Sequence, residues 1–549
     1  MYLGVDVGGT HTDAVLAEAS GRTLASAKTL TRRRVLDSLN EVLAQILAGR
    51  NPRDIERLTV STTLGLNSVL TGTAPRPGIL VTGGPGLDLD PADWGPWFRS
   101  LPGQQDHRGR VTVPLEYAEA LKAARELARE TPSLVCASKF GPKNPALEDT
   151  LFQAALAAGQ GPVLAASRLF GRLNWARRLG GTVLNASVLP LYQEFLNDLE
   201  DSVPRQGLTC PIHILKADGG VMSIEEARVK PVLALAAGPA ASLLGLWALA
   251  GRCAEQGQIP ADQDLLMIDM GGTSTDLAVF SQGPLLTPEG LTLAGRPTLV
   301  RGLLTHSLAL GGDTDLVFDG QIFETRPIRR GPALAWGSGP SSEDRPPTLT
   351  DALNTLGACQ IGRTDLSRLP FAQIDPQDPR RPARQALEAV LARLKEALAD
   401  FLYNINRQPA YTLSAFLVDW HLNPKCAMVL GGPAPAMAPY IAQALNMPAF
   451  APPEAASANA LGAALAKPTA EAELYADTAA GTLSIPTLSI RRQIDRTYTL
   501  DQAKGDLLEA MDDPLVQITE AEVFNQVSDY GSSGRVMRVR AQSAPGLVS

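Results

Sequence analysis

The feature that most constrains this chain is a repeat. Residues 3–13 read LGVDVGGTHTD and residues 266–276 read LMIDMGGTSTD, identical at seven of eleven positions. Each copy places an apolar run before a Gly-Gly pair and another after it, the pattern of two strands joined by a tight turn. A generic turn gives no reason to repeat the threonines and both aspartates, so the repetition points to chemistry. Glycines let a backbone approach a bulky anion, and the amide groups of such a turn form an anion-binding concavity. The hydroxyls of Thr10, Thr12, Thr273 and Thr275 can add donors. Asp6 and Asp269 repel phosphate, but they can hold Mg2+ through its waters, and the ion then bridges to phosphate. One of Asp6 and Asp269, or else Asp13 or Asp276, the second carboxylate of each copy, is expected to orient an attacking group. Two such hairpins are expected to clamp a polyphosphate from opposite sides.

The rest of the chain suits that arrangement. Strand-like runs at Leu3–Val5, Leu58–Ser61, Gly78–Val81, Leu134–Ala137, Val163–Ala165, Leu265–Ile268 and Ala427–Leu430 alternate with helical patterns over 35–48, 115–129 and 385–404. This alternation argues for α/β layers. At 549 residues the chain is long enough for several domains. Residues 325–347 and 375–384 read as loops. From about residue 470 the α/β rhythm weakens, and the final SAPGLVS reads as a loose tail. Residues 231–251 carry no charge over 21 positions. Gly238-Pro239 interrupts them, so they are expected to form a buried strand, a turn and a helix beginning near Pro239 rather than a membrane span.

Composition excludes several classes. A formal charge of −8 argues against nucleic-acid binding. The five cysteines form no CxxC pair, the five histidines have no metal-ligand spacing, and the start lacks a signal peptide, so a cytoplasmic protein without structural zinc is expected. Neither a GxSxG elbow nor a P-loop motif occurs.

Other motifs admit two readings. Thr62, Thr63 and Asn67 follow a strand end, where α/β sheets bind ligands, and read as a substrate pocket or as a helix cap. Asp218 lies in Lys216-Ala217-Asp218-Gly219-Gly220, a tight turn near phosphate or a plain β-turn. Gly238-Pro239 could aim helix amides at phosphate. Asp313 and Asp315 echo the repeat and could reach the cleft or sit on a surface hairpin. Strand alternation points His11 away from Thr10 and Thr12, which favours a side chain that fills the hairpin. Gly431-Gly432-Pro433 follows a strand and offers a bare backbone to an adenine or ribose.

In this order the motifs resemble the acetate and sugar kinase, heat-shock chaperone and actin superfamily. Two ribonuclease-H-like domains of actin/sugar-kinase type would then flank an ATP cleft. Asp6–Asp13 would be the phosphate-1 motif, Asp269–Asp276 phosphate-2, and Leu430–Pro433, with Gly431 and Gly432, the adenosine motif. Phosphate would be held by Gly8, Gly9, Thr10 and Thr12 and by Gly271, Gly272, Thr273 and Thr275.

A closer likeness is to the hydantoinase A/oxoprolinase family. It rests on VDVGGTHTDAVL (5–16), STTLGLNSVL (61–70), FGPKNPALED (140–149), TVLNASVLP (182–190), KADGGVMSIEEA (216–227), KPVLALAAGPAASLLG (230–245), IDMGGTSTDLAV (268–279), PTLTDALNTLG (347–357) and ASANALGAAL (456–465). The likeness implies an N-terminal domain over 1–167, a core over 168–467 and a C-terminal extension over 468–549. It implies ATP and Mg2+ as cofactors and phosphorylation of the carbonyl oxygen of a cyclic amide, which water then opens. It also implies a second, hydantoinase B-like subunit, so that this chain alone would have weak amidase activity. Related proteins carry two other readings, a subunit of an ATP-dependent ketone carboxylase and an ATP-driven reactivating protein. The chain departs from the family pattern at His11, at LALGGDTD (308–315) and after Thr82.

Overall fold

The computed structural model describes the chain except residues 10, 33, 85, 87–92, 160, 261–262, 282, 328–329, 338–344, 408–420, 528–532 and 549. Each copy of the repeat is a β-hairpin at the centre of its own sheet. In the first, β1 (Tyr2–Val7) pairs antiparallel with β2 (His11–Ala17), β3 (Thr23–Leu30) lies outside β2, and β4 (Arg57–Thr62) runs parallel to β1 on its other side. The parallel strand β9 (Ile212–Leu215) and then β10 (Val221–Ser223) complete the sheet.

The second sheet repeats this plan. β11 (Leu265–Met270) and β12 (Thr275–Phe280) form the hairpin, with β15 (Thr305–Leu308) outside β12 and the parallel strands β16 (Cys426–Leu430) and β17 (Ala449–Phe450) beyond β11. These are the two ribonuclease-H-like sheets of the actin and sugar-kinase fold. Registers match as well: Asp6 stands opposite Asp13, and Asp269 opposite Asp276. The central strands are buried on both faces, which is why they read as continuous apolar runs rather than alternating ones.

Residues between the first and last strands of the first sheet form a separate α/β layer. It has four parallel strands, β5 (Gly78–Thr82), β6 (Phe98–Ser100), β7 (Leu134–Ser138) and β8 (Val163–Ala165), in the order β8-β7-β5-β6. The first sheet takes strands from both sides of residue 167. A buried pair pins this layer. Glu148 accepts from the amides of Ser138 (2.9 Å) and Ser167 (2.8 Å), and Arg178 donates to the carbonyls of Arg172 (2.7 Å) and Ser138 (2.6 Å).

The two halves meet through a pair of helices packed at backbone distance, α6 (Ala237–Glu255) and α9 (Ala458–Leu465). A Cβ on Gly245 would lie 1.8 Å from the Ala458 carbonyl oxygen, one on Gly462 2.0 Å from that of Ala241, and one on Gly4 of β1 2.0 Å from that of Ala460. The small-residue sequences of both helices are what this crossing requires. Arg57 of β4 donates to the carbonyls of Ala464 (2.9 Å) and Ala466 (2.7 Å), satisfying orphan acceptors at the end of α9.

Several expectations are corrected. Residues 231–234 form a 3-10 turn, not a strand, and Pro239 is the third residue of α6. The Leu233 carbonyl is taken by the amide of Ala217, so the short apolar run caps a sheet end instead of joining one. The charge-free run is thus a turn plus a core helix, and no helix among the described residues is long and apolar enough to cross a membrane. A helix begins at Arg380 inside the supposed loop 375–384, with Pro382 in its first turn, where proline is tolerated. The segment 325–347 includes the end of a strand, Phe323–Arg326, and a 3-10 turn, Leu334–Trp336. The C-terminal extension is a five-stranded antiparallel sheet, β18 (Glu471–Asp477), β19 (Thr482–Ile485), β20 (Ile490–Gln493), β21 (Val516–Val527) and β22 (Ser533–Ser543), covered by one helix, Leu500–Met511. The final residues are docked: the Val548 amide donates to the Leu465 carbonyl (2.7 Å) and that of Lys467 to Gly546 (2.9 Å).

Candidate functional site

The twin hairpins close identically. The Gly8 amide donates to the His11 carbonyl (3.0 Å) and the Gly271 amide to that of Ser274 (2.9 Å). Gly9, Gly272 and Thr273 lie exposed at the turn tips, and Thr10 lies outside the described residues. Behind each turn two carboxylates share one face of the sheet, because register partners in a ladder point the same way.

The crossing helices serve these carboxylates reciprocally. Asn459 of α9, from the second half, donates to Asp6 Oδ2 (3.1 Å), while Ser242 of α6, from the first half, hydrogen-bonds Asp269. Asp6 is buried beside the Ser61 hydroxyl, its register neighbour on β4, which together with Asn459 opposes the rise that burial causes. Burial raises the carboxyls of Asp6 and Asp276. Burial also pushes Asp269 up to about 6, with Asp276 and Asp6 adding to the rise. The charge of Asp6 thus reaches Asp269.

The copies differ at one register position. Asp13 pairs with Lys28 of β3 at 3.0 Å, whereas Asp276 accepts a hydrogen bond from Ser307 of β15. One hairpin carries a compensating cation and the other a neutral hydroxyl.

Neighbouring loops pack onto the turns. Gly431 has φ +105°, and a Cβ there would lie 1.9 Å from the Met270 carbonyl oxygen, so the end of β16 rests against the second hairpin. A Cβ on Gly432 would meet nothing within 4 Å, which leaves a bare, exposed backbone beside the hairpin. The amides of Gly312 and Asp313 donate to the carbonyls of Gly271 (2.9 Å) and Gly272 (2.7 Å), and Asp313 faces Gly272. Asp313 thus reaches the site. Asp315 is buried and accepts from the Arg330 amide (3.1 Å). On the first side, the Asn67 side chain donates to Thr63 Oγ1 (3.3 Å) and lies 4.0 Å from where a Cβ of Gly9 would be. Thr63 in turn lies beside Gly238, in the uncapped first turn of α6. Thr62 is buried, and its hydroxyl accepts from the Leu64 amide (3.1 Å) just ahead of the helix Leu64–Leu70, whose N-cap residue Thr63 makes no side-chain capping bond.

Three expected contacts are not made. Thr12 and Thr275 are fully buried, with Thr12 bonded to Thr31 (3.0 Å) and Thr275 to the Leu310 carbonyl (2.5 Å). Strand alternation that turns Asp13 and Asp276 to one face sends these threonines to the other. Asp218 is fully committed to protein partners: Arg301 Nε (2.8 Å) and Nη2 (2.5 Å), Thr469 Oγ1 (2.9 Å) and the Gly220 amide (2.9 Å). Burial alone would raise its carboxyl, but Lys216 and Arg301 hold it well below the usual range. It anchors the C-terminal sheet. His11 is exposed at the start of β2 and does not fill the hairpin. Asn459, Ser242, Lys28 and Ser307 join the site only through tertiary packing and strand register. The signal for Asn459 was the single amide within the small-residue run ASANALGAAL.

The chain matches the hydantoinase/oxoprolinase family model over residues 178–472 and the model of that family's N-terminal region over residues 2–158. It is 24% identical to an uncharacterized protein of Methanocaldococcus jannaschii over 84% of this chain and 72% of that protein. It is 26% identical to the caprolactamase subunit alpha of Pseudomonas jessenii over 51% of this chain, spanning 43% of that subunit. A 26% identity to the 5-oxoprolinase of Saccharomyces cerevisiae covers 36% of this chain and 14% of that protein. Among solved structures, the ATP-dependent caprolactamase from Pseudomonas jessenii superposes with a TM-score of 0.72 at 17% identity, over 99% of this chain and 87% of that one. A nucleotide-free acetone carboxylase superposes with a TM-score of 0.66 at 16% identity, over 100% and 87%. These two share the fold from end to end, and the matched models take in both hairpins and the helices that cross between them: the chain belongs to the hydantoinase/oxoprolinase family.

Proposed function

We propose that the protein binds ATP between its twin hairpins and uses it to phosphorylate the carbonyl oxygen of a cyclic amide. The observation that carries this reading is the doubled Asp–Asp hairpin, with its two copies in the same register and each first aspartate held by a helix from the opposite half. The exposed turn glycines offer amides to phosphate oxygens, and the bare backbone of Gly431-Gly432 offers a face to the adenosine. Mg2+ fits the residues present. Asp6 and the Ser61 hydroxyl offer buried oxygens side by side, and among the described residues no cation acts on Asp269 or Asp276. When bound there, the ion supplies charge neutralisation for the polyphosphate.

The chain's own part is positioning. Holding the carbonyl oxygen in line with the terminal phosphoryl group converts an encounter into an intramolecular step. The carbonyl oxygen attacks phosphorus as the bond to ADP breaks. Water then adds to the activated imidate carbon, the ring C–N bond breaks as the nitrogen takes a proton, and a second water attacks the carbonyl carbon of the resulting acyl phosphate, so that phosphate leaves with the former carbonyl oxygen. The name of the caprolactamase relative as a subunit alpha supports a second subunit that completes ring opening.

The test is an isotope transfer. A lactam or hydantoin labelled with oxygen-18 at the carbonyl should stimulate phosphate release and pass its label into that phosphate. Release stimulated only by a ketone with bicarbonate, or only by a partner protein, would replace the amide reading. Absence of ATP binding would remove it altogether.

A further inference from the structure

A cavity of about 450 Å³ opens between α2 (Leu64–Leu70), the long helix α5 (Trp175–Ser202) and the edge of the inserted layer. A hairpin from the second half closes it, β13 (Thr292–Leu293) and β14 (Arg296–Pro297). Its two-residue turn, Ala294-Gly295, has both φ angles positive (48° and 76°), the arrangement that matches strand twist in tight hairpins. A Cβ on Gly180 of α5 would lie 2.5 Å from the Pro297 carbonyl oxygen, so the hairpin is seated on that helix at backbone distance.

This seating places Arg296 over Trp94, 4.9 Å from the ring centroid, and Trp94 stacks on Phe98. Arg76 enters the same cavity from the other side. Neither guanidinium donates a hydrogen bond or forms an ion pair among the described residues. Burial and the neighbouring Arg76 both disfavour the charge on Arg296, and Asp93, beyond ion-pair distance, offsets this only in part. A half-buried guanidinium has five donors and pays a desolvation cost when they go unused. Two of them lining one opening, against the single carboxylate of Asp93, leave an excess of positive charge for an anion to neutralise. A planar carboxylate matches the guanidinium fork. Trp94, Trp97, Val69 and Val183 give flat or apolar walls, Asp93 and Ser187 add polar ones, and the volume is that of a small-molecule pocket.

We propose that this cavity binds a small carboxylate carried on a flat apolar body. The residues of α2 connect it to the phosphate site: Thr63 and Asn67, at one end, lie beside Gly238 and Gly9, and Val69 and Leu70 line the cavity about 9 Å further along the helix. The carboxylate has two possible sources, an acid group on the acceptor substrate or a separate effector. The site itself stands independently of the phosphoryl-transfer reading.

The experiment is a tryptophan-fluorescence titration of the full chain with phenylacetate and with its neutral isostere phenylacetamide. Phenylacetate should bind saturably, and the amide should bind about tenfold or more weakly, since hydrogen bonds to charged groups are the contacts removed. Arg296→Gln should lose about tenfold in affinity for the acid and none for the amide. Arg76→Gln, at an exposed position, should lose less, in the same direction. The Trp94→Phe variant should lose the signal. Equal binding of acid and amide, unchanged affinity in Arg296→Gln, or no saturation would overturn the proposal. In ATP hydrolysis, competition between phenylacetate and a cyclic amide assigns the site to the acceptor, and non-competitive modulation assigns it to an effector.

Discussion

Two glycines of one helix should respond to the same substitution with opposite signs. Gly245 and Gly251 both lie inside α6. Alanine is the better helix former by about 0.8–1 kcal/mol, so both changes begin with the same gain. A Cβ at 251 meets nothing within 4 Å, and Gly251→Ala should stabilise by about 0.5–1 kcal/mol. A Cβ at 245 would lie 1.8 Å from the Ala458 oxygen, 2.5 Å from its carbonyl carbon and 2.9 Å from its Cα, all backbone atoms. Reaching an ordinary carbon–oxygen contact of about 3.3 Å requires α9 to move by about 1.5 Å. Overpacking of this kind costs about 1–3 kcal/mol or more, for a net loss of about 2 kcal/mol in Gly245→Ala. The displaced residue precedes Asn459, whose 3.1 Å bond to Asp6 such a shift would break. Gly245→Ala should therefore weaken binding of a non-hydrolysable ATP analogue, while Gly251→Ala should not. Urea unfolding and calorimetric titration of the two variants decide the matter. Equal stability of the pair would refute the close crossing, and a destabilised Gly245→Ala that bound nucleotide normally would refute the link from crossing to site.

Asp269, pushed from 3.8 to about 6, binds its proton more tightly folded than unfolded, so its contribution to stability is full below pH 4 and is lost as pH rises through 6. Asp269→Asn should accordingly stabilise the metal-free protein at pH 7.5, on the order of 1–2 kcal/mol after screening, and leave it unchanged at pH 4; thermal unfolding at both values checks the sign. Ser307→Lys copies the first hairpin's cation onto Asp276 and should weaken Mn2+ binding, read by electron paramagnetic resonance, about tenfold; unchanged Mn2+ affinity would place the ion elsewhere. Arg301→Met leaves Asp218 buried without its main partner, at a cost of about 3–5 kcal/mol. It should release the C-terminal sheet to limited proteolysis ahead of the core, and a digestion pattern like that of the wild type would count against the anchoring role.

The sequence by itself determined the two hairpins, their glycines, the α/β alternation and the family. These are encoded locally: a strand buried on both faces must be apolar along its length, and a turn that brings backbone near phosphate must be glycine. Alternation also settles which way Thr12 and Thr275 point, although the phosphate reading of the motif had drawn them toward the ligand. Local pattern could not place Asp218, because Arg301 and Thr469 are distant in sequence and convert a turn residue into a buried anchor. Nor could it rank the twin carboxylates, since Lys28 and Ser307 acquire their roles only through strand register. The C-terminal sheet leaves no βαβ rhythm because its strands pair antiparallel and only one of their connections carries an α-helix. Tertiary structure alone decided that each half supplies a helix to serve the other's aspartate. That reciprocity depends on two helices crossing at glycine-to-carbonyl distance, and contact between segments more than two hundred residues apart has no periodic trace in a sequence.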